Sequence, residues 1–218
     1  MGKKKIILSE DIISFYMEYI LEHNEKPKSV FSFAKKHNFE EDIFYKYFAN
    51  FKVLEQTVFK TFFDKTISLI EKSDEYQSYD TRNQILSFYY SFFELLTANR
   101  SYVVFALVEN KNNLKYIYSL HLLKQSFTNF IENLDIELLD TKQETINKIQ
   151  QTTLKESAWL QLLFTIKYWL DDSSPSFEKT DIFIEKAVNT SFDLLNIHPL
   201  RSVIDFGKFL FKDKTIMN

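Results

Sequence analysis

The sequence predicts an all-α protein, and three observations lead to that prediction. The 218-residue chain contains only two Gly and three Pro, whereas sheets and their hairpins usually need more turn residues. Apolar residues recur at spacings of three and four positions along much of the chain, which is the helical period. Hydrophobic residues make up 45% of the chain, with 23 Phe and 12 Tyr, so helices can enclose a large core.

The first predicted helix is amphipathic and begins after Ser9, a good N-cap. Apolar residues follow one face from Ile12 to Ile20, at positions i, i+3, i+4, i+7 and i+8. The helix should end near His23, because Pro27 and the residue before it do not continue a helix comfortably.

The next two predicted helices are short and joined by a tight turn. Ser29 caps the first of them, and Glu41–Phe48 forms the second. Asn38 lies at the corner, and Asn is the residue other than Gly that best tolerates a left-handed backbone. This spacing predicts a helix-turn-helix, whose second helix would be presented to the major groove of DNA.

The segment from Ile12 to Leu54 resembles the N-terminal domain of TetR/AcrR-type transcriptional regulators. The residues that carry the resemblance are Ser29-Val30-x-x-Phe33-Ala34, the corner at Asn38-Phe39, and Phe44-Tyr45-x-Tyr47-Phe48-x-Asn50-x-x-x-Leu54. The resemblance implies a helix-turn-helix domain over 1–54 and a helical ligand-binding and dimerisation domain over 55–218. It also implies that a homodimer binds double-stranded DNA at a near-palindromic operator.

The same resemblance implies which residues contact DNA. Lysines would neutralise phosphates, Tyr45 would bridge backbone and base edge, and Ile43 would touch a thymine methyl group. The predicted DNA-binding residues are Lys28, Ser29, Lys35, Lys36, Asp42, Ile43, Tyr45, Lys46 and Lys52.

The DNA side departs from the family pattern at several positions. Glu40, Glu41 and Asp42 stand where the family has a capping Ser followed by small or basic residues. Phe31 replaces an Arg and Phe51 replaces a Lys. Carboxylates repel phosphates, but at a helix N-terminus they also stabilise the helix dipole, and they can accept a hydrogen bond from cytosine.

The rest of the chain is predicted to consist of further helices. A long fourth helix runs to about Ser73, and the polar segment 73–81 is predicted to be a loop. The later helices are predicted over Arg82–Asn99, Tyr102–Glu109 and Asn113–Leu134, over a segment ending at Asp171-Asp172, from Pro175 to Asn196, and over Pro199–Lys212. Pro175 suits the first position of its helix.

The helical body carries the predicted ligand site and dimer interface. Aromatic residues on helices that enclose the family's ligand cavity favour an apolar pocket for a hydrophobic small-molecule effector. Taken singly, each of these residues is also explained as an ordinary core residue. The candidate ligand-binding residues are Phe88, Phe92, Phe105, Tyr116, His121, Phe127 and Trp159. Segments 157–171 and 178–195 resemble the helix pair that forms the family's dimer.

Several other function classes are not expected. With Gly2 and Gly207 as its two glycines, the chain has no phosphate-binding loop, and it has no nucleophile elbow or zinc-protease motif. We therefore predict no enzyme, catalytic residue, cofactor or metal site. The chain has no uncharged run of 18 apolar residues, so stable membrane insertion is not expected. The absence of Cys fits a cytoplasmic location.

Two functions remain open from the sequence. The first is a TetR-like regulator that binds DNA as a homodimer and senses a hydrophobic molecule. The second is a TetR-fold lipid- or isoprenoid-binding protein that has lost DNA binding, which the acidic residues at 40–42 and the aromatic body favour.

Overall fold

The computed structural model describes residues 6–108, 118–136 and 144–196. Within these ranges the regular structure is helical and no strand occurs, which confirms the predicted all-α class. The ten α-helices of the described ranges are α1 Ser9–His23, α2 Val30–Lys36, α3 Glu41–Tyr47, α4 Phe51–Ile70, α5 Asp74–Ser78, α6 Thr81–Ala98, α7 Arg100–Val108, α8 His121–Glu132, α9 Glu144–Asp171 and α10 Glu178–Asn196.

The chain divides into two compact units. One comprises 1–69 with 91–127, and the other comprises 70–90 with 128–218. Helices α4 and α6 each run from one unit into the other. Leu54, the last residue of the predicted first domain, lies inside α4 and inside the first unit. The division into domains 1–54 and 55–218 rests on the family resemblance and stays a prediction.

The core of the first unit is built around the aromatic ring of Phe33 on α2. This side chain has no exposed surface, and its ring lies 6.3 Å from that of Phe44 on α3 and 5.6 Å from that of Phe51 on α4. Helix α1 adds Ile12, Tyr16 and Ile20 at spacings of four. The buried aromatic cluster therefore fixes α1 to α4 relative to one another.

The second unit has its core between the long helices α9 and α10. Leu162, Ile166 and Trp169 of α9 are buried, as are Ile184 and Val188 of α10. These residues repeat at three and four positions, so each helix turns one apolar stripe toward the other.

Helix α1 begins differently from the prediction. Ser9 is its first helical residue rather than its N-cap, and Leu8 occupies the cap position in an extended conformation. The Leu8 N–H donates to Asp11 Oδ2 over 2.9 Å. The carboxylate three residues into the helix thus replaces the predicted hydroxyl cap, because a side chain at that position can reach back to the first free N–H.

The segment 73–81 is not a continuous loop, and that prediction was wrong. Asp74–Ser78 forms α5, and the Tyr76 side chain is 7% exposed. Acidic residues Asp74 and Glu75 lie in the first turn, where they favour a helix. One buried aromatic residue thus anchors a single helical turn in a polar segment.

Helix α10 also begins later than predicted. Pro175 opens a 3₁₀ turn over Pro175–Phe177 rather than the α-helix, and Ser176 and Phe177 have φ of 51° and 61°. The buried Asp172 carboxylate accepts hydrogen bonds from the N–H and hydroxyl of Thr180, over 2.9 and 2.7 Å. This interaction caps α10, so its first residue is Glu178.

The predicted last helix, Pro199–Lys212, lies outside the described residues, as does the start of the helix predicted over 113–134. From residue 118 onward that second prediction agrees with α8.

Candidate nucleic-acid interface

Helices α2 and α3 form the predicted helix-turn-helix. The Ser29 hydroxyl accepts from the Ser32 N–H over 3.1 Å and caps α2. Asn38 has φ 56°, so the left-handed corner is confirmed. Phe33 and Phe44, both fully buried, hold the two helices together and leave the opposite side of α3 exposed.

The exposed side of α3 carries an aromatic residue and two charge-paired residues. Tyr45 is 53% exposed, and its hydroxyl donates to Glu41 Oε1 over 3.3 Å. Lys46 Nζ lies 3.4 Å from Asp42 Oδ2. Partial desolvation and the Glu41 carboxylate raise the pKa of Tyr45, so its phenol stays a proton donor. Ile43 is half-buried.

Two of the predicted phosphate-binding lysines are held by neighbours. Lys36 Nζ lies 3.0 Å from Glu22 Oε2 and 2.9 Å from His23 Nε2. Lys52 Nζ lies 3.5 Å from the ring centroid of Tyr118, a cation–π distance. These two ammonium groups would have to leave protein partners in order to contact DNA.

Of the three remaining predicted lysines, Lys46 pairs with Asp42, whereas the other two differ. Lys28 and Lys35 are exposed, and among the described residues no acceptor pairs with either one. The helix-turn-helix therefore offers two ammonium groups that are ready to meet phosphates.

The two aromatic departures from the family pattern have different environments. Phe51 packs 5.2 Å from Phe44 and stacks 5.5 Å from Tyr16, so it belongs to the core. Phe31 is 61% exposed and lies in the first turn of α2. One replacement is thus explained by packing, and the other puts an apolar ring on the surface.

His37, the residue after α2, is half-buried and stacks 4.7 Å from Phe15. Its Nε2 is buried and has no hydrogen-bond partner among the described residues. Burial and the nearby Lys36 lower the pKa of His37. This histidine is a neutral packing residue of the helix-turn-helix.

Comparison with known protein families identifies the remainder of the chain. Residues 84–210 match the model of the tetracyclin repressor-like C-terminal domain, which covers more than half of the chain. The chain belongs to the TetR family. The predicted resemblance, which was drawn mainly from residues 12–54, is therefore confirmed. A search of curated proteins found no match.

The predicted ligand residues of this TetR-family chain lie in both compact units. Phe92 and Phe127 are fully buried in the first unit, with Phe105 half-buried and His121 exposed. In the second unit Phe88 is fully buried with its ring 5.2 Å from that of Phe130, and Trp159 is 4% exposed. Tyr116 lies outside the described residues. Their assignment to a ligand site stays a prediction.

The sequence reasoning missed a polar network that joins α1 to α4. The Tyr16 hydroxyl donates to Glu55 Oε1 over 2.5 Å, and Lys26 Nζ lies 2.5 Å from the same oxygen. Tyr102 of α7 is buried nearby, and its hydroxyl has no hydrogen-bond partner among the described residues. Burial and Glu55 raise the pKa of Tyr16. These partners are distant in sequence, so no local pattern reveals them.

Two further features were looked for in the described parts of the chain. No helix there is long and apolar enough to cross a membrane. No group of three or more metal-ligating side chains occurs within those same ranges.

Proposed function

We propose that this TetR-family chain is a transcriptional regulator that binds double-stranded DNA as a homodimer and responds to a hydrophobic small molecule. One observation carries the proposal: a helix-turn-helix with an exposed second helix precedes a tetracyclin repressor-like C-terminal domain. In such proteins the second helix enters the major groove, and symmetric dimers read two half-sites about one turn of DNA apart.

The lysines on and around α3 support the proposal, although the first turn of α3 is acidic. The Asp42–Lys46 pair is exposed, with side-chain accessibilities of 68% and 60%. An exposed pair of this kind contributes little to stability, so a phosphate can replace Asp42 as the partner of Lys46. Lys28 and Lys35 have no acidic partner among the described residues, so they can contact phosphates without breaking an ion pair.

Dimerisation is proposed through the helix pair α9–α10. Leu160, Phe164 and Tyr168 follow one another at four-residue spacing on α9 and are 51%, 65% and 38% exposed. On α10, Ile182 is 51% exposed. An apolar stripe of this kind on a pair of helices is the surface that a symmetric two-helix interface would bury.

Ligand sensing is proposed for the helical body, with the aromatic residues predicted above as its candidates. A ligand that binds one of two conformations more tightly shifts the population toward that conformation. If the two conformations differ in the spacing of the reading helices, effector affinity and operator affinity are coupled reciprocally.

DNA binding is tested with genomic fragments and fluorescence anisotropy over a range of salt concentrations. Lys46→Ala should weaken binding about tenfold near 0.1 M salt and reduce the salt slope by about one unit. Lys148→Ala is the matched control, because Lys148 also pairs with an acidic residue four positions earlier, Glu144 at 2.7 Å, but lies on α9. Equal affinities of both variants and a flat salt dependence would contradict the proposal.

The second candidate function is a lipid- or isoprenoid-binding protein of the same family without DNA binding. The observation that favours it is that two side chains predicted to contact DNA are occupied by carboxylates of α3 itself. Glu41 accepts a hydrogen bond from Tyr45, and Asp42 pairs with Lys46. Native mass spectrometry of the purified protein would detect a co-purified lipid. A protein that carries no lipid and does not bind vesicles would leave this candidate without support.

A further inference from the structure

A groove lies within the first compact unit, between α1, α4 and the end of α6, and has a cavity volume of about 270 Å³. Its floor is apolar: Ile13, Val58 and Phe62 are 6%, 0% and 5% exposed. Met17 and Leu21 continue this apolar surface along α1, and Leu21 is 52% exposed. The groove therefore offers a narrow hydrophobic strip that is open to solvent.

Charged side chains border this strip unequally. Glu10 and Glu18 line the groove from α1, while Lys65 lines it from α4, which leaves one net negative charge. Among the described residues neither glutamate has a hydrogen-bond or ion-pair partner. Glu10 lies in the first turn of α1, where the helix dipole already accounts for it. Glu18 lies in the middle of α1, where the helix dipole does not account for it, and its charge also acts on His37.

We propose that this groove binds an amphipathic organic cation of the alkylammonium class, with its chain on the apolar floor and its ammonium group beside Glu18. A methylene chain gains affinity because its own apolar surface is buried, together with the accessible surface of Met17 and Leu21. Carboxylates at the edge of this surface, two against one lysine, favour a cation over an anion. Glu10 and Glu18 are separated by about 12 Å along the helix axis, so a chain of about eight carbons spans the strip.

This site is distinct from the ligand site predicted for the body. The residues that line the groove include none of Phe88, Phe92, Phe127 or Trp159. A cation bound here contacts α1, the first helix of the helix-turn-helix domain, together with α4 and the end of α6. Binding would consequently stabilise this unit against unfolding, whether or not the protein binds DNA.

The test uses three soluble eight-carbon probes that differ in their head groups: n-octylammonium, octanol and octanoate. Isothermal titration calorimetry and thermal unfolding are measured on the full-length protein. We expect octylammonium to bind about three- to fivefold more tightly than octanol, and octanoate to bind most weakly. Octylammonium that does not bind, or that binds no better than octanol, would overturn the proposal.

Two variants and one control localise the binding. Glu18→Gln should remove the preference for octylammonium over octanol, while Glu25→Gln, an exposed glutamate outside the groove, should keep it. Thr61→Trp fills the groove from α4 without changing a charge, and should abolish binding of all three probes. Circular dichroism confirms that each variant is folded. Wild-type affinity in either Glu18→Gln or Thr61→Trp would refute the assigned site.

Discussion

At the scale of single residues, two phenylalanines of α2 show how burial decides what a side chain does. Phe33 has no exposed surface, and its ring packs against rings on the other three helices of the cluster, α1, α3 and α4, and against Phe39 in the turn. Phe31, two positions earlier, is 61% exposed. A helix turns through about 200° between them, so they point to nearly opposite sides.

Replacement of Phe33 by Ala should lower the free energy of unfolding by about 3–5 kcal/mol, because it leaves a cavity in the centre of the aromatic cluster. Urea denaturation followed by circular dichroism measures the change. The matched control is Phe31→Ala, for which we expect a change within about 0.5 kcal/mol. Similar losses in the two variants would show that α2 is packed differently.

Asp172 gives stability a dependence on acid pH. Burial alone would raise the pKa of this carboxyl, but hydrogen bonds from Ser174 and Thr180 outweigh it and lower the pKa to about 2. In the unfolded chain the pKa of an aspartate is about 3.9. The native state therefore binds this proton less readily, and the stabilisation is fully present above about pH 4 and lost as the pH falls toward 2.

Comparison of the wild type with Asp172→Asn tests this dependence. The wild type should have the higher unfolding temperature above about pH 4, and the difference should shrink between pH 4 and 2. Asp171→Asn is the control, because Asp171 is exposed and pairs with Lys167 at the surface, so its effect should be small at every pH. A difference between wild type and Asp172→Asn that is independent of pH would argue against the cap.

At the scale of elements, the corner between α2 and α3 depends on one backbone conformation. Asn38 has φ 56°, and its N–H donates to the Lys35 carbonyl over 3.3 Å while the Phe39 N–H donates to the Ala34 carbonyl over 3.1 Å. The left-handed region costs a residue with a Cβ about 1–2 kcal/mol of conformational free energy, and this steric cost is absent for Gly. The residue type at position 38 therefore affects the stability of the corner.

Asn38→Gly should keep or slightly raise stability, whereas Asn38→Val should lower the free energy of unfolding by about 1–2 kcal/mol. Thermal unfolding of both variants supplies the comparison. The same pair of changes at Asn24, which has φ 50° after α1, serves as a second left-handed position outside the corner. Equal stability of the Gly and Val variants at residue 38 would contradict the observed conformation.

The sequence predicted those elements whose signals are local. The period of Ile12, Tyr16 and Ile20 fixed the face of α1, and Asn38 marked the corner without any knowledge of the fold. Helix α5 was missed because five residues are too short to show a period. The start of α10 was missed because the position of Pro175 indicates a first turn but not whether that turn is 3₁₀ or α.

The candidate sites were less predictable than the helices. The family pattern selected Lys36 and Lys52 as phosphate contacts, but Glu22 and Tyr118 hold them through tertiary contacts that spacing does not reveal. For the same reason the groove beside Glu18 was not foreseen, because its walls come from helices far apart in sequence. An aromatic residue such as Phe92 has the same local pattern whether it fills a core or lines a cavity.

At the scale of the whole molecule, the apolar residues of α9 and α10 divide into two sets. One set, including Leu162, Ile166 and Trp169, is buried between the two helices. The other set is exposed, and on α9 it includes Leu160 and Phe164. Exposed apolar side chains at four-residue spacing along one helix face are typical of an interaction surface, so the second set favours the proposed association of two copies through 157–171 and 178–195.

Replacement of Phe164 by Glu should convert the proposed dimer into a monomer, because two-fold symmetry places the new carboxylate in the interface twice. Analytical ultracentrifugation over a range of concentrations gives the mass. Leu69→Glu is the matched control: Leu69 is 60% exposed on α4, outside the helix pair, and its replacement should leave the mass unchanged. If the wild type is a monomer at every concentration, or if Phe164→Glu sediments like the wild type, these helices do not form the dimer.

The Phe164→Glu monomer should still bind half-site DNA weakly, because α3 is unchanged and only the gain from bivalent binding to two half-sites is lost. This result would show that dimerisation and DNA recognition depend on different residues.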